Sequence, residues 1–417
     1  MVGLAGAFAA AMDRLGPFEP AAALAAAVSG GADSLALALL ARDWAGTRGG
    51  NLLALVVDHN LRPESAAEAH TTIARLQGQG IDARLLTLGG LMRGPGLAAR
   101  ARIARHAALE AECVARGIVH LLFGHHAGDQ AETLRMREAA GSGPRGMAGM
   151  AALVESALVR RLRPLLAVPP GRLRALLRAA SLDWIEDPSN RDPATLRARL
   201  RVALDDPAGE GAEVAALVAV ATRFGHARAA DDVAIATELA ARVRLYPGGW
   251  AVLSGGAISP AALSALLCTI AGRHYPAPSV AVAALAARPR AATLAGARLL
   301  PAGRFGGGGD WLVVREAAAM QPAVPATPGA IWDKRFQLAG TPARPGFLGP
   351  LGAASAGLRN LKLRLPSAVL HTLPALWCGG ALAAVPALDW PDGATAAGIA
   401  LHWRPVLALA AAPFRTI

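Results

Sequence analysis

Over residues 21–140, short apolar runs alternate with longer stretches of helical periodicity, and few folds accommodate that rhythm. Residues 21–28 read as a buried strand and 33–44 as a helix. The clearest strand is 52–58 (LLALVVD), followed by a helix over 64–77 and a strand over 83–88. A long helix over 97–116, a strand over 120–125 and a helix from Asp129 continue the series. Strands separated by helices pair in parallel through crossovers. The alternation therefore predicts an α/β fold with a doubly wound, Rossmann-like parallel sheet covered on both faces. Ligands of such sheets bind beyond the carboxyl ends of the strands.

The remainder is less regular. A Gly-rich stretch at 141–149 precedes a basic segment carrying Arg160, Arg161, Arg163, Arg172, Arg174 and Arg178. Asp192-Pro193 reads as an N-cap with a first-turn proline, opening another arginine-bearing helix. Helical character persists to Val243; later come short helices and Gly/Pro-punctuated strands, including 311–315 and 361–365. Boundaries are expected where Asp205, Asp206, Pro207 and Gly209 cluster, and near the glycines at 306–309. This gives an α/β domain over 1–208, a mainly helical one over 209–300 and a mixed α+β one over 301–417.

A net charge of +12 points toward a polyanionic partner, nucleic acid ahead of membrane. A biased coding composition is the plain alternative, because Lys334 and Lys362 are the only lysines. The cysteines Cys113, Cys268 and Cys378 are far apart, which argues against a disulfide framework, a zinc ribbon or a thiolate-held cluster. Apolar runs are too short for a membrane span, and a cytoplasmic setting is expected.

Residues 29–34 (SGGADS) fall directly between the first strand and its helix. The glycines allow a tight turn, and the exposed amides at a helix N-terminus form an anion site. No lysine precedes position 334, so this is not a Walker A loop. Asp33 would repel phosphate unless Mg²⁺ lies between them. An ordinary Gly-rich turn is the bland reading. The whole hexapeptide resembles the PP-loop of enzymes that split ATP into AMP and pyrophosphate.

Later segments resemble the tRNA(Ile)-lysidine synthetase family in order and spacing. They are 57–62 (VDHNLR), 94–106 (GPGLAARARIARH), 124–133 (GHHAGDQAET), 141–150 (GSGPRGMAGM), 163–166 (RPLL) and 184–190 (WIEDPSN). Weaker likeness extends to 332–336 (WDKRF) and 373–386. The resemblance implies adenylation of the wobble cytidine of isoleucine tRNA by ATP, then displacement of AMP by the amine of free lysine. Another PP-loop tRNA enzyme, such as a thiolase, and a catalytically impaired tRNA-binding homologue are the rivals. The sequence leaves monomer and homodimer open.

On that resemblance, Ser29, Gly30, Gly31, Ala32, Asp33 and Ser34 hold ATP, with Asp58, His59, Gly124 and His125 contributing. Asp33 and Asp129 are the candidate Mg²⁺ ligands, and Arg102 and Arg105 the candidates to neutralise phosphate charge. Asp129, Glu132 and Thr133 share a helical face suited to gripping or deprotonating lysine; a solvated first helical turn is the alternative. Glu186, Asp187, Asn190, Arg191, Arg197 and Arg201 are expected on the tRNA-facing surface. Two positions depart from the family pattern: Gly128 stands where a second aspartate is expected, and Ala198 where an asparagine is.

Overall fold

The computed structural model describes residues 3–90, 94–156, 158–186, 195–358, 365–391, 399–410 and 412–417. The first unit begins with α1 (Leu4–Leu15), β1 (Ala23–Val28), α2 (Ala32–Gly46), β2 (Asn51–Asp58), α3 (Ser65–Gly78) and β3 (Asp82–Thr87). It continues with α4 (Leu97–Ala115), β4 (His120–Leu122), α5 (Ala127–Ala139), the short α6 (Pro144–Met147), β5 (Leu153–Glu155) and β6 (Arg160–Leu162). Then follow α7 (Pro170–Ala179), α8 (Leu196–Leu204) and α9 (Ala212–Arg242).

The strands form one sheet in the order β3-β2-β1-β4-β6-β5, parallel throughout except for β5 against β6. Side chains alternate along β1. Leu24, Ala26 and Val28 face a core shared with α1, α2 and α7, while Ala25 faces the opposite core beneath α4. Strand β2 does the same, with Ala54 and Val56 on one side and Leu55 on the other. A strand buried on both faces must be apolar at consecutive positions, which is why these runs carry no polar alternation. Each fully buried leucine contributes about 1.5–3 kcal/mol relative to exposure.

The chain leaves β1 for β2 and β3 on one side, then returns to place β4 on the other. This reversal opens a crevice at the carboxyl ends of β1 and β4.

The second unit is antiparallel. Its largest sheet runs β7-β8-β11-β10-β9, comprising β7 (Val243–Tyr246), β8 (Trp250–Leu253), β9 (Ala292–Leu294), β10 (Ala297–Pro301) and β11 (Trp311–Arg315). Ala251, Leu253 and Val313 pack with α10 (Pro260–Ala271) and α11 (Ser279–Ala287), while Trp250, Val252 and Val314 face the other way. A four-stranded and a three-stranded antiparallel sheet complete a mixed α+β unit. Among the described residues, no helix is long and apolar enough to cross a membrane.

Chain contacts define two compact units, Met1–Ala230 with Ala412–Ile417, and Asp231–Ala411, in place of three segments. The expected boundary at 300 lies inside β10. Trp250 and Leu312 share one core with Leu351, Leu373 and Val385, so no linker separates them. Near 208, Asp206 accepts the amides of Glu210 and Gly211 and turns α8 into α9 within the first unit. The expected strand over 361–365 falls largely outside the described residues.

Candidate active site

The loop after β1 is braced from within. Ser34 Oγ accepts the Ser29 amide at 3.1 Å and donates to the Gly31 carbonyl at 2.9 Å. The Ser34 hydroxyl, expected as a phosphate donor, is thus occupied by the loop itself, whereas Ser29 is exposed. Gly30 has φ +85°, and a Cβ there would lie 2.4 Å from Thr72 Oγ1. Its carbonyl accepts the Ile185 amide at 2.9 Å, which seats the segment after α7 on the loop. Helix α2 starts at Ala32 with no side-chain cap on its first amides, so they remain available to an anion.

The loop after β4 closes on this helix. A Cβ at Gly124 would meet the Asp33 carbonyl at 3.0 Å and Ser34 Cα at 3.2 Å. His126 then caps α5, accepting the Gly128 and Asp129 amides on Nδ1 at 3.1 and 3.4 Å. Accepting two amides keeps Nδ1 unprotonated and places the ring proton on Nε2. That nitrogen lies 3.4 Å from Asp33 Oδ2 and 3.6 Å from Asp129 Oδ2. His126 therefore joins the phosphate loop to the acidic helix. Sequence reasoning named His125 instead; the missed signal was an N-cap three residues before an aspartate, a capping-box spacing.

Asp129 and Glu132 come together as their spacing predicted. The Asp129 carboxylate also takes the His126 amide at 3.1 Å. Burial opposes its ionisation, but His126, His125, the His126 amide and Arg197 together hold its pKa down. Glu132 is 2% exposed, with Oε1 accepting Arg201 Nε at 2.8 Å and Oε2 buried without a hydrogen-bond partner. Burial pushes its carboxyl up, helped by Asp129 and resisted by Arg201. The Thr133 hydroxyl turns back to the Asp129 carbonyl at 2.7 Å. Arg201, expected on the tRNA-facing surface, is exposed and also reaches back to the acidic pair.

Arginines dominate the neighbouring surface. Arg105 is half-buried with an unpartnered Nε; burial and Arg102 lower its pKa. Arg102 is lowered by burial, Arg197 and Arg161. Arg163, 9% exposed and bonded to the Ala151 carbonyl at 2.7 Å, falls to about 10 through burial, Arg161 and Arg102. His125 is lowered to about 4 by burial, opposed by Asp129 and helped by Arg163, Arg102 and Arg197. Burial and four arginines lower His106 likewise to about 4. Both imidazoles are neutral near pH 7, and the concentrated positive charge suits a polyanion.

Other expectations fall elsewhere. Asp58 Oδ1 accepts the Asn60 amide and the Ser65 hydroxyl, shaping the turn after β2, with His59 half-buried beside it. Arg160 reaches the Leu15 and Pro17 carbonyls, away from a free basic face. Ala198 is buried in the first turn of α8. Glu186 and Arg197 are exposed, while Asp187, Asn190 and Arg191 lie outside the described residues.

The comparisons agree with this geometry. The family described as the PP-loop domain matches residues 7–206. The tRNA(Ile)-lysidine synthase of Ruegeria pomeroyi is 36% identical over 395 residues, covering 91% of each chain. The chain belongs to the tRNA(Ile)-lysidine synthase family. The relative from Bradyrhizobium sp. is 41% identical over 228 residues, which span 54% of this chain and 64% of that one. The Hyphomonas neptunium relative is 43% identical over 261 residues, 60% and 69% of the two chains. Family membership makes ATP the ligand expected at the PP-loop.

Mg²⁺ is tested by the donors present. Asp33 Oδ1 is buried without a hydrogen-bond partner, so a carboxylate oxygen remains unspent beside the loop. Among the described residues no three His, Cys, Asp or Glu side chains form a ready metal set. Phosphate-bound Mg²⁺ needs only one or two carboxylates, so the site fits a metal that arrives with a nucleotide.

Proposed function

We propose that the protein joins free L-lysine to carbon 2 of the wobble cytidine in isoleucine tRNA bearing a CAU anticodon. ATP is consumed to AMP and pyrophosphate through an adenylated tRNA. The observation that carries this reading is the His126 bridge, which places Asp33 of the phosphate loop beside the Asp129–Glu132 pair. A site that must activate one substrate with ATP and admit an amine needs both halves together.

The α2 amides and glycine turn bind the nucleotide phosphates, and Arg102 and Arg105 face the charge that develops as cytidine O2 attacks the α-phosphorus. Asp33 and Asp129 would hold Mg²⁺, which supplies charge neutralisation for the departing pyrophosphate. Asp129 and Glu132 orient the lysine ammonium and accept its proton; the amine then forms the bond to carbon 2 as the C–O bond to AMP breaks. Exposed Arg197 contacts the tRNA backbone.

The test is incubation of the full chain with ATP, labelled lysine and total tRNA. Label is expected in a single isoleucine tRNA, with AMP and pyrophosphate formed in equal amounts; label in no tRNA overturns the proposal. Gly128 favours one rival, an impaired tRNA-binding homologue, for which tRNA-dependent ATP–pyrophosphate exchange would be absent.

Gly30→Ala is expected to weaken ATP binding. A left-handed non-glycine residue costs on the order of 1–3 kcal/mol, and the crowding at Thr72 adds to it. Equilibrium binding should show a loss of about tenfold or more, since each 1.4 kcal/mol is a factor of ten. Unchanged affinity would mean that the loop does not hold the nucleotide.

A further inference from the structure

The segment WDKRF, which the reaction does not use, forms one wall of a cavity of about 280 Å³ within the second unit. Trp332 and Arg335 close a tight turn, the Arg335 amide donating to the Trp332 carbonyl at 3.1 Å. Its central residues, Asp333 and Lys334, have φ +51° and +58°. Glycine or asparagine suits such positions; lysine there is strained.

Among the described residues, Asp333 is the sole acid lining the cavity, and its carboxylate is fully committed. Oδ2 accepts Arg315 Nε and Arg335 Nε, each at 2.9 Å, while Oδ1 accepts Arg315 Nη2 and the Gln321 amide, each at 3.0 Å. One carboxylate thus balances two buried guanidiniums, leaving an uncompensated positive charge. Arg273 and Lys334 stand at the same cavity, both exposed, and neither forms a salt bridge among the described residues. Backbone carbonyls, Gly296 O for Arg315 and Gly249 O for Arg335, solvate these guanidiniums without cancelling the net charge. Ile270 O is taken by Arg335, and Cys268 O and Thr269 O by the Arg273 and Gly272 amides. Gly272 and Gly296 border the space because the buried arginines need the room: a Cβ there would lie 2.8 Å from Arg335 Cγ and 2.6 Å from Arg315 Nη1.

The identity of Lys334 adds a separate indication. Of 42 basic residues only this one and Lys362 are lysine. The compact ammonium of Lys334 can meet a phosphate as a point charge.

We propose that this cavity is a phosphate-binding site held by Lys334 and Arg273, with Arg315 as its fixed positive floor. It stands independently of the reaction assigned to the first unit. The phosphate belongs either to a free small molecule or to an RNA backbone.

Because the chain has two lysines, labelling it with carbon-13 at lysine Cε yields two signals, assigned by Lys362→Arg. Inorganic phosphate should move the Lys334 signal along a saturable curve, whereas chloride at equal ionic strength should not. Arg273→Ala should shift that curve to higher phosphate. Lys334→Gly relieves the left-handed strain, so its melting temperature should not fall in phosphate-free buffer, yet part of the stabilisation by phosphate should be lost. If sub-stoichiometric tRNA moves the signal and phosphate competes, the natural ligand is a phosphodiester; if only phosphate or AMP moves it, the ligand is free. No saturable movement with phosphate, or equal movement with chloride, overturns the proposal.

Discussion

Asp33→Ala is expected to abolish AMP formation while leaving tRNA binding close to that of the parent chain. A carboxylate beside a phosphate-binding helix terminus is repulsive toward the ligand unless a cation intervenes. Among the described residues, Asp33 Oδ1 is buried and unpartnered, and Oδ2 meets only His126 Nε2, at 3.4 Å. Losing one group that stabilises developing charge typically costs 10²–10³ in turnover, so at least a loss on the order of 10² is expected. Asp33→Asn separates the roles. The amide oxygen can still accept from His126, so α5 and its cap should hold and the melting temperature should change little. If charge is what matters, the asparagine variant will be nearly as inactive as the alanine variant. Single-turnover AMP release and filter binding of tRNA, measured on both variants, decide the matter. Normal turnover in Asp33→Ala would remove the assignment of this loop as the ATP site.

How far this site was legible depended on how local its parts are. The loop at 29–34 was readable because the strand before it, the glycines and the helix after it lie in one short stretch. Asp129 and Glu132 were readable because helical spacing places them together. The pairing of Glu132 with Arg201 crosses 69 residues, and no local pattern announces it. Arg201 accordingly looked like one more basic residue on a tRNA surface. Arg160 and Arg163 of the basic segment likewise serve backbone carbonyls of the fold.

The fold shows the same division between local and distant information. The strands and helices given limits between residues 21 and 140 fall within a residue or two of them, whereas α1, β5 and β6 were not anticipated. Strand β4 is the exception, expected over 120–125 but ending at Leu122. The chain must turn there so that Gly124 can press against Asp33 and Ser34, a constraint set by another loop. The glycines at 306–309 looked like a linker, yet Asp310 accepts the amides of Gly255 and Gly307 and makes them a tight connection between β10 and β11. Glycine-rich composition marks a turn without saying whether it joins two domains or two paired strands.

Glu132→Gln is expected to slow lysine transfer far more than it weakens ATP binding. Glu132 is the most deeply buried acid of the site, and one of its oxygens, Oε2, has no hydrogen-bond partner. Arg201 occupies the other oxygen and also lies 3.9 Å from Asp129 Oδ1. An incoming ammonium would thus meet a carboxylate pair already held in place, one of whose oxygens has no hydrogen-bond partner. Glutamine keeps the size and an oxygen for Arg201 but cannot carry the negative charge or take a proton. Loss of a positioned general base usually costs about 10²–10⁴ in rate, and a decrease of that order is expected in the transfer step. The first half-reaction should survive. ATP–pyrophosphate exchange in the presence of tRNA should proceed, and adenylated tRNA should accumulate when lysine is added. Asp129→Asn is expected to impair both steps, because that carboxylate shares His126 with Asp33. The comparison therefore needs exchange, ATP affinity and labelled-lysine transfer measured on the two variants side by side. Parallel losses of ATP affinity and transfer in Glu132→Gln would reassign Glu132 to the nucleotide and its metal. Transfer at the parental rate would exclude it from handling lysine.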